Sequence, residues 1–158
     1  MKRLVSLFAL VAVSALAPGV VALAADSNIG TWKLNVAKST FTPGPAPKSQ
    51  TLHYEPWGTD GVKVTADGVG ADGKPTRWEF QARYDGKDNP FTGNLDADTI
   101  AFKRIDANTI EAITKMKGKV TGHTRAVVSA DGKTRTLTQT GKNALGQDVN
   151  NLLVYDKQ

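Results

Sequence analysis

A two-residue beat runs through most of this chain, and it leaves few folds open. In PTRWEFQARY, Trp78, Phe80, Ala82 and Tyr84 fall on one side, while Arg77, Glu79, Gln81 and Arg83 fall on the other. A β-strand sends successive side chains to opposite faces, so such a segment buries one face and wets the other. The beat recurs in IGTWKLN (29–35), at Leu52 and Tyr54, at Val62, Val64 and Ala66, and at Ile100 and Phe102. It continues through Ile110, Ala112, Thr114 and Met116, then through Gly122, Thr124, Ala126 and Val128, and ends in TRTLTQT and VNNLLVYD. Between these runs stand Thr59-Asp60-Gly61, Asp72-Gly73-Lys74, Asp85-Gly86-Lys87, Asp106-Ala107-Asn108, Lys117-Gly118-Lys119 and Asp131-Gly132-Lys133. Asp-Gly supplies the positive φ that hairpin turns need, so the recurring DGK is turn chemistry and not a repeated binding motif.

Eight or nine short antiparallel strands joined by hairpins make a meander. A meander of that length removes its exposed edges by closing on itself. The expected fold is all-β, an up-and-down barrel. A two-sheet sandwich is the alternative, but its crossovers need longer connections than most found here. Two connections are long. Residues 36–50 carry Pro43, Pro45 and Pro47, which forbid regular helix and favour extended backbone; this segment is expected to cross one end of the barrel with Phe41 as an apolar plug. The other is KNALGQD, residues 142–148.

The first 24 residues read differently. Lys2 and Arg3 precede a long apolar run that ends in Ala22-Leu23-Ala24, the pattern of an export signal cleaved after Ala24. The run is also long enough to span a bilayer, but Pro18-Gly19 breaks it and no charge cluster follows. Cleavage leaves one domain, 25–158, placed in the periplasm or outside the cell, with no stable membrane insertion. That domain carries 18 basic and 15 acidic residues, scattered and without runs, which excludes a nucleic-acid-binding surface. Export permits disulfides, but the chain has no cysteine, so its core holds without them. At this size about two-thirds of the unfolded surface can be buried.

GTWKL at Gly30 to Leu34, the DGK-turned meander and the terminal VYDK at Val154 to Lys157 together resemble the calycin superfamily, which holds the lipocalins and the fatty-acid-binding proteins. Lipocalins begin their first strand with G-x-W, matched by Gly30 and Trp32; fatty-acid-binding proteins share GTWKL and close on a similar strand. The resemblance implies a ligand-holding barrel in which Gly30 and Trp32 close one end. It also exposes two departures. The proline-rich loop stands where fatty-acid-binding proteins carry two lid helices. Leu153 stands two residues before Tyr155, where they place an arginine that holds a carboxylate, and this argues against a fatty-acid cargo.

The face pattern nominates a cavity. Trp78, Phe80, Phe102 and Tyr155 are large inward candidates, while Ala112, Thr114, Gly122, Thr124 and Ala126 form a row of small ones. Large against small is either complementary packing or a pocket, because a barrel of this size can be filled by side chains or hold one small ligand. An interior above about 300 Å³, the low end for ligand pockets, separates the two. His123 and Arg125 share a face that alternation assigns to the exterior, with Arg104 on a neighbouring strand.

No chemistry beyond binding is indicated. The imidazoles are His53 and His123, neither in a catalytic motif, and no His pair has metal-ligand spacing. DNPFTGNLDAD (88–98) is rich in oxygen ligands, but its spacing matches no cation loop and reads as turns. The expectation is a non-enzymatic exported barrel holding a small apolar or amphipathic ligand, without cofactor or metal. The alternative is a closed, ligand-free barrel acting as a structural or partner-binding envelope protein through exposed aromatics such as Trp57. The chain names no protein partner.

Overall fold

The computed structural model describes residues 26–158; the expected export signal lies outside them. Ten antiparallel strands follow one another: β1 (Gly30–Leu34), β2 (Ser49–Trp57), β3 (Gly61–Val69), β4 (Pro75–Arg83), β5 (Asp85–Thr92), β6 (Thr99–Arg104), β7 (Thr109–Met116), β8 (Lys119–Val128), β9 (Thr134–Lys142) and β10 (Asp148–Lys157). Each pairs with the next, and β1 pairs with β10, so the meander closes into a barrel. The only helix among the described residues is a single 3₁₀ turn, Val36–Lys38, capped by the Asn35 side chain.

The strand count exceeds the expected eight or nine by β5. Its sequence, DGKDNPFT, is made of turn residues. Asp85-Gly86-Lys87 does not form a hairpin tip. Gly86 takes φ +76 within the strand, and the pairing with β6 slips between Asp85 and Asp88, so these residues form a bulge. Tyr84 alone turns the chain between β4 and β5. The seam between those strands holds only two register pairs, Glu79 with Thr92 and Phe80 with Phe91.

Alternation decides the inside. Trp32, Leu52, Val64 and Phe80 lie in successive strands with their inward side chains buried. One continuous apolar core runs from Trp32 to Leu153 and Tyr155. The proline-rich segment runs beside β10: Thr40 pairs with Leu152, and the Asn150 N–H donates to the Thr42 carbonyl (2.9 Å). That course carries Phe41 and Pro47 to one end of the barrel.

Candidate functional site

The barrel has a sealed end and a hollow end. The seal is built around Trp32, which is 0 % exposed. Its indole Nε1–H donates to the Asn28 carbonyl (2.9 Å), so the residues before β1 fold under the floor. Asp26 fixes that segment. It accepts from the Asn28 N–H and Nδ2 at 3.0 Å each, from the Tyr84 hydroxyl at 3.0 Å, and from Arg104 in a close ion pair. Burial opposes ionisation of Asp26, but the bonds from Arg104 and Asn28 outweigh it and hold the carboxyl below its ordinary range. Burial first, then the neighbouring Asp26 charge, pushes the Tyr84 phenol well up. Lys157 lays its ammonium over the Trp32 ring, 4.9 Å from the centroid. Gly30 makes room for it: with φ +132, a Cβ there would stand 2.9 Å from Lys157 Cε.

Arg135 is the residue that the sequence reading passed over. It is 0 % exposed, deep in the floor, with no carboxylate beside it. One Nη donates to Asn28 Oδ1 (3.1 Å), and the guanidinium lies over the Tyr54 ring at 4.1 Å and 5.9 Å from the Trp32 centroid. Its Nε has no hydrogen-bond partner. A cation among aromatic faces recovers part of its lost hydration through the ring quadrupoles. The signal was present in TRTLTQT, where Arg135 shares a face with Leu137. Tyr54, which lines the space above, separates Arg135 from it.

Above the floor is a cavity of about 330 Å³. One wall is aromatic: Trp78 and Phe80 from β4, Phe91 from β5 and Phe102 from β6. Their rings meet mostly edge to face, with centroids 5.3 Å apart for Trp78–Phe91, 5.4 Å for Phe80–Phe91 and 5.2 Å for Phe80–Phe102. From β7 onward the lining is mostly small or polar: Ala112 and Thr114 on β7, Gly122 and Thr124 on β8, Gln139 on β9, Asn151 and Tyr155 on β10, with Leu137 and Leu153 among them. Gly122 makes room for the Thr114 side chain, since a Cβ there would meet Thr114 Oγ1 at 2.8 Å. The Tyr155 hydroxyl donates to Gln50 Oε1 (2.5 Å), and burial raises its pKa far above the ordinary phenol value. At the mouth, the Ala144 N–H donates to Asp96 Oδ1 (2.7 Å), tying the β9–β10 loop to the β5–β6 loop.

The structure thus brings Trp78, Phe80, Phe102, Ala112, Thr114, Gly122, Thr124 and Tyr155 onto one cavity. Ala126 is not part of it; buried at 3 %, it packs lower down beside Ile110 and Leu137. Gly30 and Trp32 lie at the sealed end, outside the lining. Phe91, Gln50, Gln139 and Asn151 line the cavity without having been singled out from sequence.

The remaining candidates scatter. Arg104 sits under the floor with Asp26 and Tyr84, apart from His123 and Arg125. His123 and Arg125 are exposed, and Arg125 pairs with Glu111 (2.6 Å). These three border a hollow of about 390 Å³ on the outer face beside Ala101 and Ile113, with no Phe, Tyr or Trp side chain, and His123 also reaches the lining of the inner cavity. No hydrogen bond joins His123 to Glu111. His53 sits on the outside, its Nδ1 3.2 Å from the Thr31 hydroxyl. The carboxylates of 88–98 are spent separately: Asp88 on Lys115, Asp96 on Ala144, Asp98 on the Lys117 N–H (2.8 Å). Among the described residues no group of three His, Asp or Glu is placed to hold a metal ion.

A closed antiparallel meander, sealed under a G-x-W tryptophan and hollow above it, is a calycin-like fold. Among solved structures the chain is similar to the fluorescent protein UnaG, at 15 % identity and a TM-score of 0.53 over 84 % of this chain and 98 % of that one. It is also similar to the zebrafish ileal bile acid-binding protein complexed with cholic acid (11 % identity, TM-score 0.48, 84 % and 99 % covered). A redesigned β-barrel matches at 14 % identity and a TM-score of 0.48, over 84 % and 92 % of the two chains. At such identities the likeness is one of fold. No protein-family model and no curated protein sequence matches the chain.

Proposed function

We propose that this protein is an exported, non-enzymatic barrel that binds a small apolar or amphipathic molecule in its interior, in the periplasm or outside the cell. The observation that carries the reading is the cavity of about 330 Å³ between the aromatic wall and the row of small residues. Its volume exceeds the low end for ligand sites, about 300 Å³. The outer hollow offers no comparable chemistry: its charged pair is already satisfied and no Phe, Tyr or Trp side chain lines it.

Binding is tested on protein purified after export from cells expressing the full sequence. Native mass spectrometry looks for a carried species. Quenching of Trp78, in a background where Trp57 is replaced by Phe, is followed across a panel of lipids, haem and aromatic compounds. Saturable quenching supports the proposal. Absence of both a carried species and saturable quenching returns the protein to the closed, partner-binding reading.

A further inference from the structure

We infer that the ligand is an uncharged molecule that combines an aromatic ring system with a carbonyl or similar acceptor, the ring lying on Trp78, Phe80, Phe91 and Phe102 and the acceptor meeting the amide of Gln139. This rests on the interior-binding reading above and adds the chemical class.

The polar wall determines what it can offer. A backbone N–H can only donate, and the Thr42 N–H points at Asn151 Oδ1 (2.8 Å). The Asn151 amide is therefore oriented with its Nδ2 toward Gln139, whose Oε1 accepts (3.3 Å). Among the described residues that leaves the Nε2 of Gln139, a cavity-lining residue paired across the sheet with Thr124, as an unspent donor. A ligand lacking an acceptor would leave this donor unpaired as water is displaced, which costs affinity.

The charges determine what the cavity refuses. Its ionised lining residues, Asp96 and Lys142, sit on exposed segments at the mouth and are engaged, Asp96 by the Ala144 N–H and Lys142 by Asp148 (2.7 Å). Arg135 is sealed beneath the Tyr54 ring and bonded to Asn28, so an anion lying against the aromatic wall finds no cation in the depth of the cavity; the basic side chains of the lining, Lys142 and His123, belong to exposed residues, and Lys142 is paired with Asp148. An unpaired charge taken out of water is strongly disfavoured. The aromatic wall, with its edge-to-face geometry, gives a flat ring both faces and edges to pack on, which an alkyl chain does not exploit.

The test is a matched set: naphthalene-2-carboxamide, naphthalene-2-carboxylate, naphthalene and decanamide, titrated at pH 7.5 by calorimetry and tryptophan quenching. The carboxamide is expected to bind about tenfold or more tighter than each of the others, the scale of one buried hydrogen bond. Gln139→Leu should remove that advantage, read as the carboxamide-to-naphthalene affinity ratio within the variant. A carboxylate that binds as tightly as the amide, or decanamide that binds more tightly, overturns the ligand class but leaves the binding barrel standing. An unchanged preference in Gln139→Leu overturns the assigned donor. If none of the four binds saturably, both this inference and the interior-binding reading fall. The acid-to-amide ratio is read on the unaltered protein, so the outcome does not depend on a variant folding.

Discussion

Filling the cavity from its small wall is the most direct trial of the site. Ala112 lies on β7, 5 % exposed, on the cavity lining between its cross-strand neighbours Phe102 and Thr124. Ala112→Leu adds three carbons there. At about 0.8 kcal/mol per buried methylene, that is worth ~2.4 kcal/mol, less ~0.5–1 kcal/mol for fixing the leucine rotamer. The net expectation is a gain of about 1.5 kcal/mol, or roughly 5 °C in Tm for a domain of this size. Urea unfolding at pH 7 should show a raised midpoint with an unchanged slope. The same variant should lose measurable binding of naphthalene-2-carboxamide. A well-packed interior would give the opposite result, because overpacking costs about 1–3 kcal/mol. Destabilisation by 1 kcal/mol or more would therefore show that no cavity exists in solution.

Trp32→Phe removes the bond to the Asn28 carbonyl and part of the floor, and should cost about 1–3 kcal/mol by chemical denaturation. Asp26→Asn should flatten the acid limb of the stability profile. The folded carboxyl lies below its ordinary 3.8, so its contribution is complete above that value and is lost as pH falls through the lower folded value; thermal melts from pH 7 down to pH 2.5 would show it. Asp96→Ala should release the mouth loops, raising hydrogen exchange at the Ala144 amide about tenfold or more while leaving core amides protected. Gly30→Ala forces a Cβ against Lys157 at φ +132 and should cost about 1–3 kcal/mol, measured by urea midpoint.

The closed meander was legible because period two is a property of neighbouring residues and needs no tertiary knowledge. The same logic found the large lining residues Trp78, Phe80 and Phe102 and the small ones Ala112, Thr114, Gly122 and Thr124. It failed where composition and geometry part company. In β5, Asp88, Asn89 and Pro90 carry turn chemistry, yet the closing sheet supplies partners on β6 that hold them extended, and Gly86 is absorbed as a bulge. Ala126 shows a second limit: alternation tells which face a residue occupies, but height along the barrel axis follows from strand tilt and stagger. Arg135 shows a third. A guanidinium is expected in water, and what draws it inward is a set of groups from two distant segments, Asn28 and Trp32 in one and Tyr54 in the other.

The closing seam has a kinetic meaning. β1 and β10 meet through Trp32–Lys157, Lys33–Asp156 and Leu34–Tyr155, and the Asn35 side chain donates to Asp156, 121 positions along the chain (2.7 Å). No local contact can form this seam, so the ring can close only after the intervening hairpins have gathered the two strands. Sheets dominated by such distant pairings fold in milliseconds to seconds. Until closure, β1 and β10 each present an open edge, and a β1 edge would accept any β10, including one from another copy. Refolding at high concentration should therefore yield strand-exchanged dimers, while dilute refolding returns the closed ring.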